Sequence, residues 1–189
     1  MARVLTVNLG SAEPNPHKQA RSTGIRKHPV DRPVEVRAPG PKTTGLGSGL
    51  VGDFVGDAEN HGGDDQAVYA FAREDLDRWQ ATLGRELPNG SFGENLTTAD
   101  LDVNQALIGE VWQLGPTLRL EVTSSRIPCS TFRGQMGERG WLKTFTADAR
   151  PGAYLRVVRP GPVNAGDPIV LIHRPSAGPT VSEQFRSEM

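Results

Sequence analysis

Glycine and proline punctuate this chain along its whole length, with 22 Gly and 15 Pro spread evenly over 189 residues. Proline breaks helix interiors and glycine weakens them. The runs between are short and rich in β-forming residues, the pattern of many strands joined by turns. Val4-Leu5-Thr6-Val7 reads as a first strand, and Pro14-Asn15-Pro16 opens a polar loop. Val34-Glu35-Val36-Arg37 alternates apolar with charged residues, as a half-buried strand does. The glycine-rich stretch from Gly45 to Gly56 predicts strand and tight turn. Further strands are predicted at Ala106–Ile108, Val111–Leu114, Leu118–Thr123, Tyr154–Val158 and Ile169–Ile172. One substantial helix is predicted from about Gln66 to Leu83, capped by Asp64 and ended by Gly84. Gly134 to Lys143 reads as a helical turn or loop, and the polar stretch from Ser176 as a loose tail. Many strands and one helix predict a mainly β, barrel-like domain rather than a parallel α/β sheet.

Length and charge narrow the function. A chain of this size suits one domain with a core that needs no disulfide staples. Lys and Arg number 21 against 22 Asp and Glu, without the basic excess of a nucleic-acid binder. No stretch reaches the roughly 18 apolar residues of a membrane helix. The N-terminus lacks the apolar core of a signal peptide. With one cysteine, Cys129, no internal disulfide forms, and a reducing, cytoplasmic setting is expected. One cysteine also rules out a four-cysteine iron–sulfur cluster or zinc site within the chain.

Four segments carry the residue types that do chemistry. Ser124-Ser125-Arg126-Ile127-Pro128-Cys129 follows a predicted strand directly. Pro128 stiffens the backbone before the thiol, and a nearby cation such as Arg126 lowers a thiol pKa. A thiol packed under a turn is the plainer alternative. Phe92-Gly93-Glu94-Asn95-Leu96-Thr97-Thr98 offers Asn95 and Thr97 as groups for a phosphate or a heterocycle edge, or as satisfiers of a turn's own backbone. His61-Gly62-Gly63-Asp64 sets a histidine at a predicted helix start, where backbone N–H groups can hold an anion. A metal reading with Asp53, Asp57 and Asp64 is weaker, since no helical His/Glu pair supports it. Ser22-Thr23-Gly24-Ile25-Arg26-Lys27-His28 joins two cations to hydroxyls, either a phosphate site or a solvated face. The Gly152–Val157 and Gly161–Asp167 segments read as strand and turn punctuation.

Taken in order, these segments closely resemble the MOSC domain family, named for the C-terminal domain of molybdenum cofactor sulfurases. The resembling residues are Thr23-Gly24-Ile25-x-Lys27, Gly52-Asp53, His61-Gly62-Gly63-Asp64-x-Gln66-Ala67-Val68-Tyr69, Phe92-Gly93-Glu94-Asn95-Leu96-Thr97, Ile108-Gly109, Arg126-x-Pro128-Cys129, Gly152-x-Tyr154-x-Arg156-Val157 and Ala165-Gly166-Asp167. The resemblance covers residues 23–174, with 1–22 a strand and loop packing on the same domain and 175–189 a polar tail. It is closest to stand-alone bacterial members that reduce N-hydroxylated compounds. It implies a β-barrel-like MOSC fold that binds the molybdenum cofactor (Mo-molybdopterin), with Cys129 as molybdenum ligand and catalytic residue. Thr23 and Lys27 match a segment that contacts the cofactor's phosphate or pterin, and Asn95 and Thr97 lie in another cofactor-facing stretch. His61 and Arg126 complete the expected cofactor-binding set. The family-level description also includes pyridoxal phosphate binding. Glu110 stands where the family often has Asp, and Ser130-Thr131-Phe132 departs from the aromatic-led pattern of some members. The chain ends too soon for the C-terminal helical extension of some relatives.

Two functions follow from the resemblance. One is a molybdenum-dependent reductase of small N-hydroxylated substrates, fed by a separate electron-donor protein because the chain has no cysteines for a cluster. The other is a carrier, with Cys129 bearing a persulfide or the domain delivering cofactor without turnover.

Overall fold

Alternating burial along the strands explains why these segments pair. In the segment Leu118–Ser125, Leu118, Leu120 and Val122 are fully buried while the residues between them are half-exposed. Each such side chain contributes about 1.5–3 kcal/mol when removed from water. The computed structural model describes residues 1–18 and 22–189. Among these the strands are β1 (Arg3–Gly10), β2 (Glu13–Pro14), β3 (Ser22–Thr23), β4 (Lys27–Val30), β5 (Val34–Val36), β6 (Val68–Ala72), β7 (Leu96–Ala99), β8 (Val111–Leu114), β9 (Leu118–Ser125), β10 (Ala153–Arg159), β11 (Gly161–Val163) and β12 (Ile169–His173). The helices are α1 (Arg73–Leu83), α2 (Ser130–Met136), α3 (Trp141–Asp148) and α4 (Val181–Glu188).

Eight strands form one mixed sheet in the order β12-β8-β9-β10-β6-β7-β1-β4, and β5 pairs with β11 in a small second sheet. Only β6 and β7 are parallel, joined across α1. The start of β12 touches β1 through the Arg3–Pro168 bridge and the Ile169 N–H to Ala2 carbonyl bond of 2.9 Å. The order is nevertheless open, and no closed barrel is found among the described residues, so the barrel-like part of the expectation is not confirmed.

The predicted helix is half strand. Residues Val68–Ala72 form β6 in the sheet's interior, and the helix begins only at Arg73. All five β6 residues are buried, because neighbouring structure covers both faces. A strand buried on both sides loses its alternation and reads like a buried helix turn. Gly84 does end α1, in the left-handed conformation with φ 63°. Gly45 to Gly56 is loop apart from the Val36–Leu50 bridge, and Ala106–Ile108 is not a strand but follows a 3-10 turn at Val103–Gln105. Gly134 to Lys143, expected as a helical turn or loop, holds the end of α2 and the start of α3.

The expected loose tail is also ordered. Thr180 and Glu183 form a reciprocal cap at the start of α4, and Val181 and Phe185 are fully buried. Ser125 N–H donates to Gln184 Oε1 at 2.8 Å, fastening α4 to the end of β9.

Two apolar bodies result. One is aliphatic and lies along the sheet, around Val4, Val68, Leu96, Leu120 and Leu155. The other is aromatic and joins the four helices to β6, through Phe71, Trp79, Phe92, Phe132, Trp141, Phe145 and Phe185. Phe92 is central to the second, with ring centroids 4.9 Å from Phe71 and 5.1 Å from Phe132. This aromatic body is the floor on which the Cys129 loop rests.

Candidate cofactor cavity around Cys129

β9 ends at Ser125, and Arg126-Ile127-Pro128 carries the chain to Cys129 at the N-cap position of α2. Phe132 and Met136 anchor α2 in the aromatic body, which sets where the thiol sits. Cys129 is half-buried in the wall of a cavity of about 720 Å³, its open mouth included. The cavity collects Thr23, Lys27, Asp53, His61, Gln66, Tyr69, Asn95, Arg126 and Tyr154 from distant parts of the chain. Tight backbone layering makes this possible: a side chain on Gly10 would strike the Gly24 carbonyl, and one on Gly24 the Phe54 carbonyl.

Burial alone would raise the Cys129 thiol pKa. A hydrogen bond from His61, the Arg126 charge and the Phe132 backbone N–H outweigh burial, and the pKa falls from an ordinary 9.0 to about 6. Arg126 is itself buried, with its guanidinium 3.8 Å from the Phe132 ring centroid and 5.4 Å from that of Tyr69. Burial works against its charge, but the facing Tyr69, Tyr154 and Cys129 groups prevail and hold its pKa above the ordinary arginine value. Among the described residues no carboxylate pairs with Arg126, and its Nη1 has no hydrogen-bond partner.

Lys27 and Asn95 reach the cavity but are engaged within the protein. Lys27 Nζ forms an ion pair with Asp53 Oδ1, with both side chains almost fully buried. Asp53 also accepts from Asn95 Nδ2 and from the Gly10 N–H, each at 2.8 Å. Asn95 Oδ1 accepts from the Tyr69 N–H at 3.1 Å. Asp53 therefore ties the β1 end, β4 and the segment before β7 together. Lys27 has its charge compensated by Asp53 rather than standing free for a phosphate. Thr97, expected at the cofactor, does not line the cavity: its hydroxyl donates to Glu94 Oε1 at 2.9 Å and accepts from Asn8 Nδ2 at 2.9 Å. Glu94 is fully buried; burial pushes its pKa up, while N–H groups of Gly90 and Phe92 and the Thr97 hydroxyl oppose the rise.

Thr23 lines the cavity and accepts the Ile25 N–H at 3.2 Å. His61 stands beside the sulfur, brought there by a loop whose Gly62 and Gly63 both adopt φ 81°. Asp53, Asp57 and Asp64 do not converge on a metal: Asp64 accepts the Gly40 N–H, Asp57 pairs with Lys18, and no metal-type cluster of three such side chains occurs among the described residues. Sequence reasoning missed Tyr69, Tyr154 and Gln66 as cavity residues. Tyr154 of β10 pairs in register with Tyr69 of β6, which sets their rings 5.3 Å apart. Burial pushes the Tyr154 phenol pKa up, and the Arg126 charge beside it opposes the rise. Local sequence carries no signal of that register. No helix among the described residues is long and apolar enough to cross a membrane.

Comparison with known proteins agrees with this geometry. The MOSC domain family model matches residues 57–170. The uncharacterized protein YflK of Bacillus subtilis (strain 168) is 30% identical over 187 residues, covering 98% of this chain and 79% of YflK. A protein of Gibberella moniliformis named reductase is 31% identical over 132 residues, 68% of this chain but 23% of that protein. The crystal structure of YiiM from Geobacillus stearothermophilus superimposes with a TM-score of 0.78 at 24% identity, covering 100% of this chain and 84% of YiiM. The family match spans more than half the chain and includes His61, Arg126 and Cys129, and YflK extends the likeness to nearly its full length. The chain belongs to the MOSC domain family.

Proposed function

We propose that this protein binds the molybdenum cofactor through Cys129 and reduces N-hydroxylated compounds to amines, with electrons supplied by a separate donor protein. The observation that carries this reading is a thiol held at about 6 in the wall of a cavity lined by both polar and aromatic side chains. Thiolate is the soft ligand that molybdenum favours. The lining residues Arg126 and Gln66 each carry a buried polar atom, Nη1 and Oε1, without a partner among the described residues, polar capacity that suits a heterocycle. When bound, the cofactor supplies the two-electron redox couple for N–O cleavage.

The chain's own residues supply position and charge. Cys129 offers its sulfur as an anion at neutral pH, and Arg126 holds positive charge against it. His61 orients the sulfur through its hydrogen bond. The rings of Tyr69, Phe92 and Tyr154 form an apolar side to the cavity that keeps water from one face of a planar ligand. The overall conversion takes up two electrons and two protons for each N–OH group and releases water. The reductase name of the Gibberella relative supports this class of chemistry.

A second reading uses the same thiol as a persulfide carrier, because an ionised sulfur beside an open cavity also attacks sulfane sulfur. The test is elemental analysis for molybdenum with a pterin assay, on wild type and Cys129→Ser from a cofactor-competent host. Stoichiometric molybdenum in the wild type, lost in the variant together with reduction of an N-hydroxylated aromatic amine, supports the reductase. A gain of one sulfur atom on Cys129 without molybdenum supports the carrier and overturns the reductase.

A further inference from the structure

Gly134 sits in the middle of α2, where glycine weakens a helix. Its backbone does not require one, since Gly134 is not among the glycines of positive φ. The reason is a neighbour: a side chain on Gly134 would strike the His17 ring. The His17 imidazole lies against the α2 backbone, in space that any other residue type would fill.

His17 belongs to the turn Asn15-Pro16-His17-Lys18, which local chemistry builds. Asn15 Oδ1 accepts the His17 N–H at 3.0 Å, and the Asn15 carbonyl accepts the Lys18 N–H at 3.4 Å. Pro16 stands at the second position, where its fixed φ suits a turn. The turn leaves β2, whose pairing with β3 fixes its base at Glu13–Thr23 and Pro14–Ser22. Two of its side chains reach separate anchors. Asn15 Nδ2 donates to Thr131 Oγ1 at 3.0 Å, on the first turn of α2 and two residues past the thiol. Lys18 Nζ pairs with Asp57 Oδ2 at 2.6 Å. Asn15, Thr131 and Asp57 all line the cavity that holds Cys129, so the turn runs between two parts of its rim. Pro16 and His17 are exposed, and Asn15 and Lys18 are half-buried beneath them. The anchors are one neutral hydrogen bond, one part-exposed ion pair and one ring laid on a backbone, each weak alone. A segment held in this way opens without global unfolding.

We propose that the Asn15–Lys18 turn is a strap across the mouth of the Cys129 cavity, seated on α2 through the bare backbone of Gly134, and that it sets the size of molecule that reaches the thiol. A small reactant passes with the strap seated, and a bulky one waits for it to lift. Access alone is assigned here, so the strap serves the reductase and the carrier equally.

The test compares alkylation of Cys129, the chain's one thiol, by N-methylmaleimide and by fluorescein maleimide. The two share a reactive group and differ in bulk. Gly134→Ala favours the helix but pushes His17 off α2, and Lys18→Glu sets a like charge against Asp57. In each variant the bulky reagent should react about fivefold faster or more, while the small one stays within about twofold of wild type. The pH midpoint of labelling should stay at the wild-type value, because neither substitution touches His61 or Arg126. In a His17→Ala background, Gly134→Ala should add little, since the ring it displaces is gone. Circular dichroism identifies any variant that fails to fold, and Lys18→Glu reads the same strap if Gly134→Ala does so. Molybdenum is measured on every sample, because a bound cofactor would shield the thiol from both reagents. An unchanged ratio of the two rates in the folded variants overturns the proposal. So does an equal rise for both reagents, which marks a loosened α2 rather than an opened mouth.

Discussion

The pH profile of Cys129 alkylation tests the electrostatics of the cavity most directly. With the thiol at about 6, the thiolate outnumbers the thiol by about ten to one at pH 7, roughly 90% ionised. An ordinary thiol at 9.0 would be about 1% ionised there. The gain in thiolate is partly offset, because nucleophilicity falls with pKa at a Brønsted slope of about 0.4–0.5. Three units of depression therefore cost about 20-fold in intrinsic reactivity, leaving a net advantage of only a few-fold at pH 7. The position of the profile is thus more informative than the rate. Iodoacetamide labelling followed by mass spectrometry should rise to a plateau with its midpoint near pH 6 in the folded protein, and near 9.0 in denaturant. His61→Ala removes the largest of the lowering influences while burial remains, so its midpoint should move upward. The sign for stability follows from linkage. A depressed thiol pKa adds stability that is complete above the unfolded value of 9.0 and is lost as pH falls through about 6. At pH 7 this ionisation contributes about 1.4 kcal/mol, read from the pH dependence of urea unfolding that Cys129→Ser lacks. A native midpoint near 9, or one that His61→Ala leaves in place, would refute the reasoning.

Asp53→Ala should destabilise the fold by about 3–5 kcal/mol, because it strands the buried Lys27 ammonium; urea unfolding reads the loss. Asn95→Ala should lower the melting temperature together with any cofactor retention, since its amide is committed to Asp53 and the Tyr69 N–H; cofactor loss with an unchanged melting temperature would contradict that assignment. Phe185→Ala should cost about 3–5 kcal/mol in chemical denaturation by opening the aromatic body at α4. Thr97→Val should disturb the Glu94 cluster and stability while leaving the alkylation profile of Cys129 unchanged.

Much of the sheet was legible because six of its strands or their small-sheet partners carry a one-sided burial pattern or a clear apolar run between turn signals. β1, β5, β8, β9, β10 and β12 all lie where the chain alternates or clusters β-formers. β6 was misread because burial on both faces erased its alternation, and its run joins α1 without a break. α4 was readable in principle from Thr180-x-x-Glu183, a capping pair, together with Val181 and Phe185 one helical turn apart. Its otherwise polar composition hid it. In the cavity, Arg126 and Cys129 lie close in sequence, so their interaction could be anticipated. The pairing of Lys27 with Asp53 spans 26 residues and that of Asn95 with Asp53 spans 42, and no local pattern announces either.

The amino-acid order by itself determined that the chain builds short strands, that one thiol is mounted on a stiff loop after a strand, and that a cation stands three residues before it. These are properties of neighbours, governed by backbone preference and local spacing. Tertiary structure alone decided which polar groups remain free for a ligand. Folding brought Asp53 to Lys27 and Asn95, consuming their hydrogen-bonding capacity, while the Cys129 thiol came to rest beside His61 and Arg126 at the open cavity. A side chain's chemistry is written in its type, but its availability depends on which distant partner reaches it first in space.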